Sequence, residues 1–236
     1  MNQPTESDRI VDRYHRRDAA VDAGRYSPLE WASLLANQER QRAIVRVLRE
    51  AFRGDLAQRT LVDIGCGSGQ NLLEFLRLGF APENLCGVDL LEERIEVARH
   101  RLSPRVRLLA GDADTLARAS RLGPVDLAYF GVVFSSILDD SARRALAATT
   151  WSLVRPGGGV LLYDFAFDNP ANPDVRRVTR KDVEALFPGG EVRSRWITLA
   201  PPIARRVVRV HPALYGLLDA IPLLRSHRLY WIARGP

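Results

Sequence analysis

Seven residues, Asp63-Ile-Gly65-Cys-Gly67-Ser-Gly69, restrict this chain more than any other stretch. They follow an apolar run, Thr60 to Ile64, and stand directly before Gln70 to Leu78, which is patterned as a helix. Alternating glycines let a chain turn sharply and let a ligand approach the backbone closely. A helix that starts straight after such a turn aims unpaired N–H groups at the ligand's polar atoms. The expected unit is strand, turn, helix, with a binding site at the turn.

The chain continues in the same rhythm. Strands are predicted at Asn84 to Asp89, Val106 to Ala110, Val125 to Phe130 and Val160 to Phe165, with helices at Leu91 to Leu102 and Asp139 to Leu153. Strands that alternate with helices imply a parallel sheet with helices on both faces. Pro156-Gly-Gly-Gly159 is expected to be a tight turn into the fifth strand. Upstream, residues 9–20 have a helical pattern, and Ser27-Pro-Leu-Glu30 reads as a capping box opening a helix to Phe52. Downstream come a short helix, Arg180 to Phe187, then strands at Glu191 to Leu199 and Arg228 to Ala233 around a helical stretch, Pro201 to Leu224. At 236 residues the chain suits one domain. Its parts are an N-terminal helical arm (1–55), a central core (56–165) and a C-terminal part (166–236) carrying an insertion at 201–224.

Composition excludes several classes. No run approaches about 18 uninterrupted apolar residues, the minimum for a membrane-spanning helix. Met1 to Arg9 is polar and lacks the apolar core of a signal peptide, so a cytoplasmic location is expected. Cys66 and Cys86 lack metal-type spacing, and His15, His100, His211 and His227 are scattered, so no metal is expected. The net charge is +6, but acids are interleaved with the arginines through most of the chain. Arg205, Arg206 and Arg209 are the exception, a basic group with no acid nearby.

The glycines do not fit the dinucleotide fingerprint G-x-G-x-x-G, because Gly65, Gly67 and Gly69 leave it one residue short. Asp89 ends the second strand, where a carboxylate can accept hydrogen bonds from both ribose hydroxyls of a nucleoside. Gly111-Asp112-Ala113 follows the third strand, and Leu153-Val-Arg-Pro156-Gly-Gly precedes the fifth. As an ordered set over roughly Leu61 to Phe165, these elements resemble the class I S-adenosylmethionine-dependent methyltransferases. The resemblance implies a Rossmann-like α/β fold: a seven-stranded sheet, mostly parallel, with an antiparallel last strand and helices on both faces. It implies S-adenosylmethionine as cofactor, leaving as S-adenosylhomocysteine. It also implies cofactor-binding roles for Asp63, Gly65, Cys66, Gly67, Gly69, Asn71, Asp89, Leu90, Asp112, Ala113 and Phe130.

Methyl transfer from a sulfonium is an in-line displacement, so the protein's work is to position the acceptor and exclude water. Tyr129 to Ser136 lacks the Asp/Asn-Pro-Pro-aromatic motif of nucleic-acid amino-methyltransferases. Neither cysteine stands where carbon methylation of pyrimidines would need one, so nucleic acid is not the expected partner. Many small-molecule members carry a histidine near Ser135 or Ser136, and this chain does not. The base candidates are Asp164, at the end of the fifth strand, and His15 on the arm. Tyr26, Gln38, Arg40 and Ser135 are candidates for reaching the acceptor or cofactor. Shorter motifs such as Tyr163-Asp-Phe165 and Asn169-Pro170 resemble bacterial enzymes that act on saccharides and small metabolites. The expected reaction is therefore methylation of a hydroxyl on a small molecule or saccharide. The resemblance makes the N-terminal segment and the 201–224 insertion the substrate lid; 201–224 reads first as a lid helix packed on the core and second as a contact with a membrane surface. Two rival functions stand beside this one. A nicotinamide-dependent oxidoreductase is opposed by the glycine spacing and by the absence of a Tyr-x-x-x-Lys pair, Lys181 being the single lysine. A non-catalytic cofactor-binding module is opposed by the intact glycine turn and Asp89.

Overall fold

The computed structural model describes residues 5–20, 27–169 and 172–235. Seven strands form one sheet: β1 (Leu61–Ile64), β2 (Leu85–Asp89), β3 (Arg107–Ala110), β4 (Val125–Gly131), β5 (Val154–Phe165), β6 (Glu191–Leu199) and β7 (Arg225–Ala233). Their order is β3-β2-β1-β4-β5-β7-β6. The strands are parallel from β3 to β5, and β7 runs antiparallel to both β5 and β6. This is the expected sheet with its antiparallel last strand. Order reverses at β1 and β4, whose carboxyl ends flank the switch point where open α/β sheets bind ligands.

Alternate residues of each strand face opposite sides. On one side Leu61, Tyr129, Leu161, Tyr163 and Trp231 pack against α2 (Trp31–Ala51), α3 (Gln70–Arg77) and α4 (Glu92–Arg101). On the other, Val62, Val88, Ala128, Phe130, Val160 and Ile232 pack against α5 (Ala113–Arg118), α6 (Asp140–Leu153) and α7 (Arg180–Leu186). A third, smaller cluster joins α8 (Pro201–Val210) and α9 (Ala213–Asp219) to the amino-terminal half of α2, around Leu199, Ala204 and Tyr215. One further helix, α1 (Glu6–Ala20), lies across the carboxyl ends of the strands.

Four expectations need correction. The capping box at Ser27 and Glu30 does not form: α2 starts at Trp31, its N-cap Glu30 makes no side-chain cap bond, and the Ser27 hydroxyl accepts from the Leu29 N–H instead. Pro156 to Gly159 is not a turn before β5 but part of it. The register jumps from Val125↔Val154 to Leu127↔Gly159, so the intervening residues bulge out of the ladder. A Cβ on Gly158 would stand 2.4 Å from the Asp126 carbonyl oxygen, which is why that bulge carries glycine. The segment 201–224 is not one helix, because His211-Pro212 separates α8 from α9 and a 3₁₀ turn follows at Pro222–Leu224. Finally, α5 was not expected. It starts because Asp112 caps it, accepting from the Thr115 N–H at 3.0 Å.

Candidate functional site

A cavity of about 290 Å³ opens at the carboxyl ends of β1 to β4, under α1. Its walls combine backbone and side chains from every βα turn there: Gly65 after β1, Asp89 and Leu90 at β2, Asp112 and Ala113 after β3, Val132 and Val133 after β4. The roof is the apolar stripe of α1, Ile10, Val11 and Tyr14. The mixture is a few polar groups set in an apolar lining, as small-ligand sites generally are.

The glycine turn and Asp89 form one unit. Gly65 adopts φ +74°, and a Cβ there would collide with Val133 Cγ2 at 2.6 Å. Gly67, at φ +52°, turns its N–H onto Asp89 Oδ2 at 2.8 Å. Asp89 Oδ1 accepts from the Leu91 N–H at 3.0 Å. Asp89 thus ties the turn to the start of α4 while its carboxylate still lines the cavity. Each oxygen keeps a lone pair for a further donor. On the opposite wall Val132 is held at φ +62°, a conformation that β-branched residues rarely adopt. Its N–H donates to the Tyr163 carbonyl oxygen at 2.8 Å, which holds the strained residue in place.

Behind the turn lies a less satisfied polar set. Asp63 is fully buried, and neither of its oxygens has a hydrogen-bond partner; the buried Tyr129 hydroxyl has none either. Burial pushes the Asp63 pKa up to about 8, and the neighbouring Asp89 charge adds to the effect. A smaller cavity beside them is lined by Arg40, Asn71, Glu74 and Tyr129. The Arg40 guanidinium lies 5.2 Å from the centre of the Tyr163 ring. Asp63 itself lines neither cavity; Arg40 and Asn71 line the smaller one, where a guanidinium and an amide can meet a ligand carboxylate.

Helix α1 is attached by polar contacts to three separate segments. Ser7 Oγ donates to Asp112 Oδ2 at 2.9 Å, and the Leu138 N–H donates to Glu6 Oε1 at 3.0 Å. Arg13 donates to the Ser136 carbonyl oxygen at 2.9 Å, and the Tyr14 hydroxyl shares a 3.2 Å hydrogen bond with Ser136 Oγ. Arg94 covers the Tyr14 ring at 4.6 Å.

The remaining expected site residues lie elsewhere. Cys66 and Phe130 are buried in the two cores and do not line the cavity; Cys66 burial pushes its thiol pKa far up. Gly69, at φ +82°, is the N-cap of α3. Ser135 is buried, and Ser136 lines the cavity in its place. Asp164 is fully buried. Its oxygens accept from the Ser135 N–H at 3.0 Å and the Phe165 N–H at 2.9 Å, and burial pushes its pKa up to about 6. His15 is on the outer side of α1, 3.0 Å from Glu93 Oε1 and largely exposed. Neither Asp164 nor His15 lines the cavity. Gln38 is exposed, and Tyr26 lies outside the described residues. The N-terminal segment is expected from the sequence as a lid; the structure puts Ile10, Val11 and Tyr14 of α1 over the cavity, residues that the sequence reading does not single out.

Residues 61–158 match the family described as a methyltransferase domain. The chain has the class I methyltransferase fold. An uncharacterized 37.1 kDa protein in transposon TN4556 of Streptomyces fradiae is 26% identical over 193 residues, 79% of this chain and 54% of the relative. Phosphoethanolamine N-methyltransferase 2 of Haemonchus contortus, solved with S-adenosylmethionine, superposes with a TM-score of 0.59 at 15% identity, covering 83% of this chain and 53% of that one. An S-adenosylmethionine-dependent methyltransferase from Mesorhizobium loti gives 0.55 at 18% identity, covering 80% and 96%. The chain therefore spans about half the length of two of these three proteins. Among the described residues no cluster of histidine, cysteine, aspartate or glutamate could hold a metal, and no helix is long and apolar enough to cross a membrane.

Proposed function

We propose that this chain binds S-adenosylmethionine in the cavity under α1 and transfers its methyl group to a hydroxyl oxygen of a small-molecule or saccharide acceptor. One observation carries the cofactor part. Asp89, Leu90, Asp112 and Ala113 line the same cavity as Gly65 of the glycine turn, a nucleoside-binding arrangement without the dinucleotide spacing. In this reading Asp89 accepts from the ribose hydroxyls, Leu90, Val133 and Ile10 sandwich the base, and Asp112 accepts from its amino group. Asp63, Arg40 and Asn71 take the amino-acid end. The cofactor supplies the electrophilic methyl group. The chain's own part is to hold the nucleoside, exclude water with α1 and orient the acceptor. Asp164 is read as a positioning residue that holds the backbone of Ser135 beside the cavity-lining Ser136.

The acceptor class rests on the segment after β4, which is Gly-Val-Val-Phe rather than an Asp/Asn-Pro-Pro-aromatic motif. Calorimetric titration with S-adenosylhomocysteine, with NADH and NADPH in parallel, tests the cofactor. Micromolar binding of the homocysteine compound alone is expected, and binding of a nicotinamide cofactor instead would overturn the reading. Transfer of labelled methyl groups to pooled saccharides and hydroxylated metabolites, against nucleic acid, tests the acceptor. Label entering nucleic acid would refute the small-molecule assignment, and binding without transfer to any pool would favour a non-catalytic module.

A further inference from the structure

The third, smaller hydrophobic cluster leaves an unusual outer surface. Eight large apolar side chains are exposed among the described residues. Six of them lie at the start of α2 or in α8, α9 and the turn after them: Leu29, Trp31, Val210, Leu217, Ile221 and Leu223. Leu29 and Leu223 are 91% and 90% exposed, so they stand clear of the surface instead of lining a groove. The solvent-facing side of α9 carries Ala213, Gly216, Leu217 and Ala220, with no charged residue among them. These regions belong to one structural module, because Ala32, Leu35 and Ala36 of α2 pack with Ile203, Val207 and Leu218 around Tyr215.

The charges on α8 and α9 are almost all basic, and Glu30, between Leu29 and Trp31, is the exposed acid at the edge of the face. Between positions 201 and 224 the single acid is Asp219, and it is held in an ion pair with Arg225 at 3.1 Å. Arg206 and Arg209 are exposed on α8 and form no ion pair with a described residue. Large apolar tips beside unpaired arginines are the elements of an interfacial surface, where tips enter the acyl boundary and guanidinium groups meet lipid phosphates.

We infer that α8, α9 and the Pro222–Leu224 turn, with Leu29 and Trp31 beside them, dock this protein on an anionic phospholipid surface. A lipid layer fits the geometry better than a folded partner does. A leucine that projects almost fully into solvent is buried on all sides by acyl chains without any shape complementarity, whereas a protein would need a matching socket for each tip. The inference does not depend on what the cavity binds.

The test is sedimentation of the full chain with vesicles of phosphatidylcholine alone and of phosphatidylcholine mixed with phosphatidylglycerol, at low and high salt. Binding to the mixed vesicles is expected, with weaker binding at high salt and little binding to phosphatidylcholine alone. The double variant Leu217→Asp with Leu223→Asp should abolish it. Arg206→Ala with Arg209→Ala should weaken it by roughly thirtyfold, two arginines being removed from an anionic surface. Circular dichroism and affinity for S-adenosylhomocysteine should be unchanged in both variants, which separates this result from failure of the cofactor assignment. No binding to mixed vesicles would overturn the inference, as would binding that the leucine variants leave intact. A concentration-dependent dimer in ultracentrifugation, dissociated by those same variants, would also overturn it by assigning the face to a second copy.

Discussion

The two ends of the sheet hold their polar groups in different ways. On the β3-β2-β1-β4 side the key contacts join backbone N–H groups to a carboxylate close in sequence: the Gly67 and Leu91 N–H groups both reach Asp89, and Gly65 and Val132 bend around the same opening. On the β5-β7-β6 side the key contact is again backbone to carboxylate, but between residues 159 positions apart. Glu39 on α2 accepts the Thr198 N–H with both oxygens at 2.9 Å, and its Oε2 also accepts from the Tyr215 hydroxyl at 3.2 Å. Thr198 needs that support, being β-branched and held at φ +69°. The Tyr163 hydroxyl shares a further 2.9 Å bond with Thr198 Oγ1. One end is therefore shaped to leave acceptor capacity open to a ligand, and the other to close it.

The sharpest way to break this contrast is at Asp89. Replacing it with alanine should weaken S-adenosylhomocysteine binding by roughly a hundredfold in calorimetry, because charge-assisted hydrogen bonds are the stronger kind. Unchanged affinity would remove its role at the open end. The closed end is probed by pH. Burial, together with the Asp219 charge and against the bonds from Thr198 and Tyr215, pushes the Glu39 pKa up to about 7. A raised folded-state pKa means that the folded protein holds a proton the unfolded chain has released. The stability from Glu39 is thus present below about pH 4.5 and lost as pH rises to about 7. Denaturant melts should show Glu39→Gln flattening that fall in stability between about pH 4.5 and about 7. Asp63→Asn should remove a slope that extends further, to about pH 8.

A smaller effect is expected at Gly69. A Cβ there would meet Leu102 Cδ1 at 2.7 Å at a φ of +82°, so Gly69→Ala should lower stability by about 1 to 2 kcal/mol. Thermal melts of that variant with and without S-adenosylhomocysteine would separate lost packing from lost binding. The smallest effect on binding is expected from Asp164→Asn. Because Asp164 lines no part of the cavity, affinity should stay within about twofold, while stability falls as an amide donor replaces an acceptor for the Ser135 N–H. Collapse of methyl transfer in a well-folded Asp164→Asn protein, with binding intact, would make Asp164 a base after all.

The same contrast explains which features were legible in the sequence. Positions that need glycine, such as Gly65 and Gly67, carry a local signature because backbone geometry dictates the residue, and Asp89 and Asp112 were legible from their place after strands, although the capping of α5 by Asp112 was not. The alternation of strands and helices was readable for the same reason. Which way a side chain points at a strand end was harder to read. Phe130 and Ser135 are sequence neighbours of cavity residues, yet one faces the core and the other donates its N–H to Asp164. Cys66 sits inside the glycine motif but turns inward, where a Cβ on Gly87 would stand 2.8 Å from its sulfur. The N-terminal segment was legible as a lid, but which of its residues roof the cavity was not, and the Glu39–Thr198 contact had no local signature, since it joins residues that only the folded sheet brings together.

The contact between Glu39 and Thr198 also bears on how the protein is made. The two residues are 159 positions apart in sequence. At typical synthesis rates of about 5 to 20 residues per second, Glu39 is translated roughly 8 to 30 s before its partner exists. During that interval the carboxylate stays hydrated and charged, and the Ile44 and Leu48 face of α2 has no complete sheet to cover. Helix α2 must wait until Thr198 has been made before Glu39, its buried acid, finds that donor.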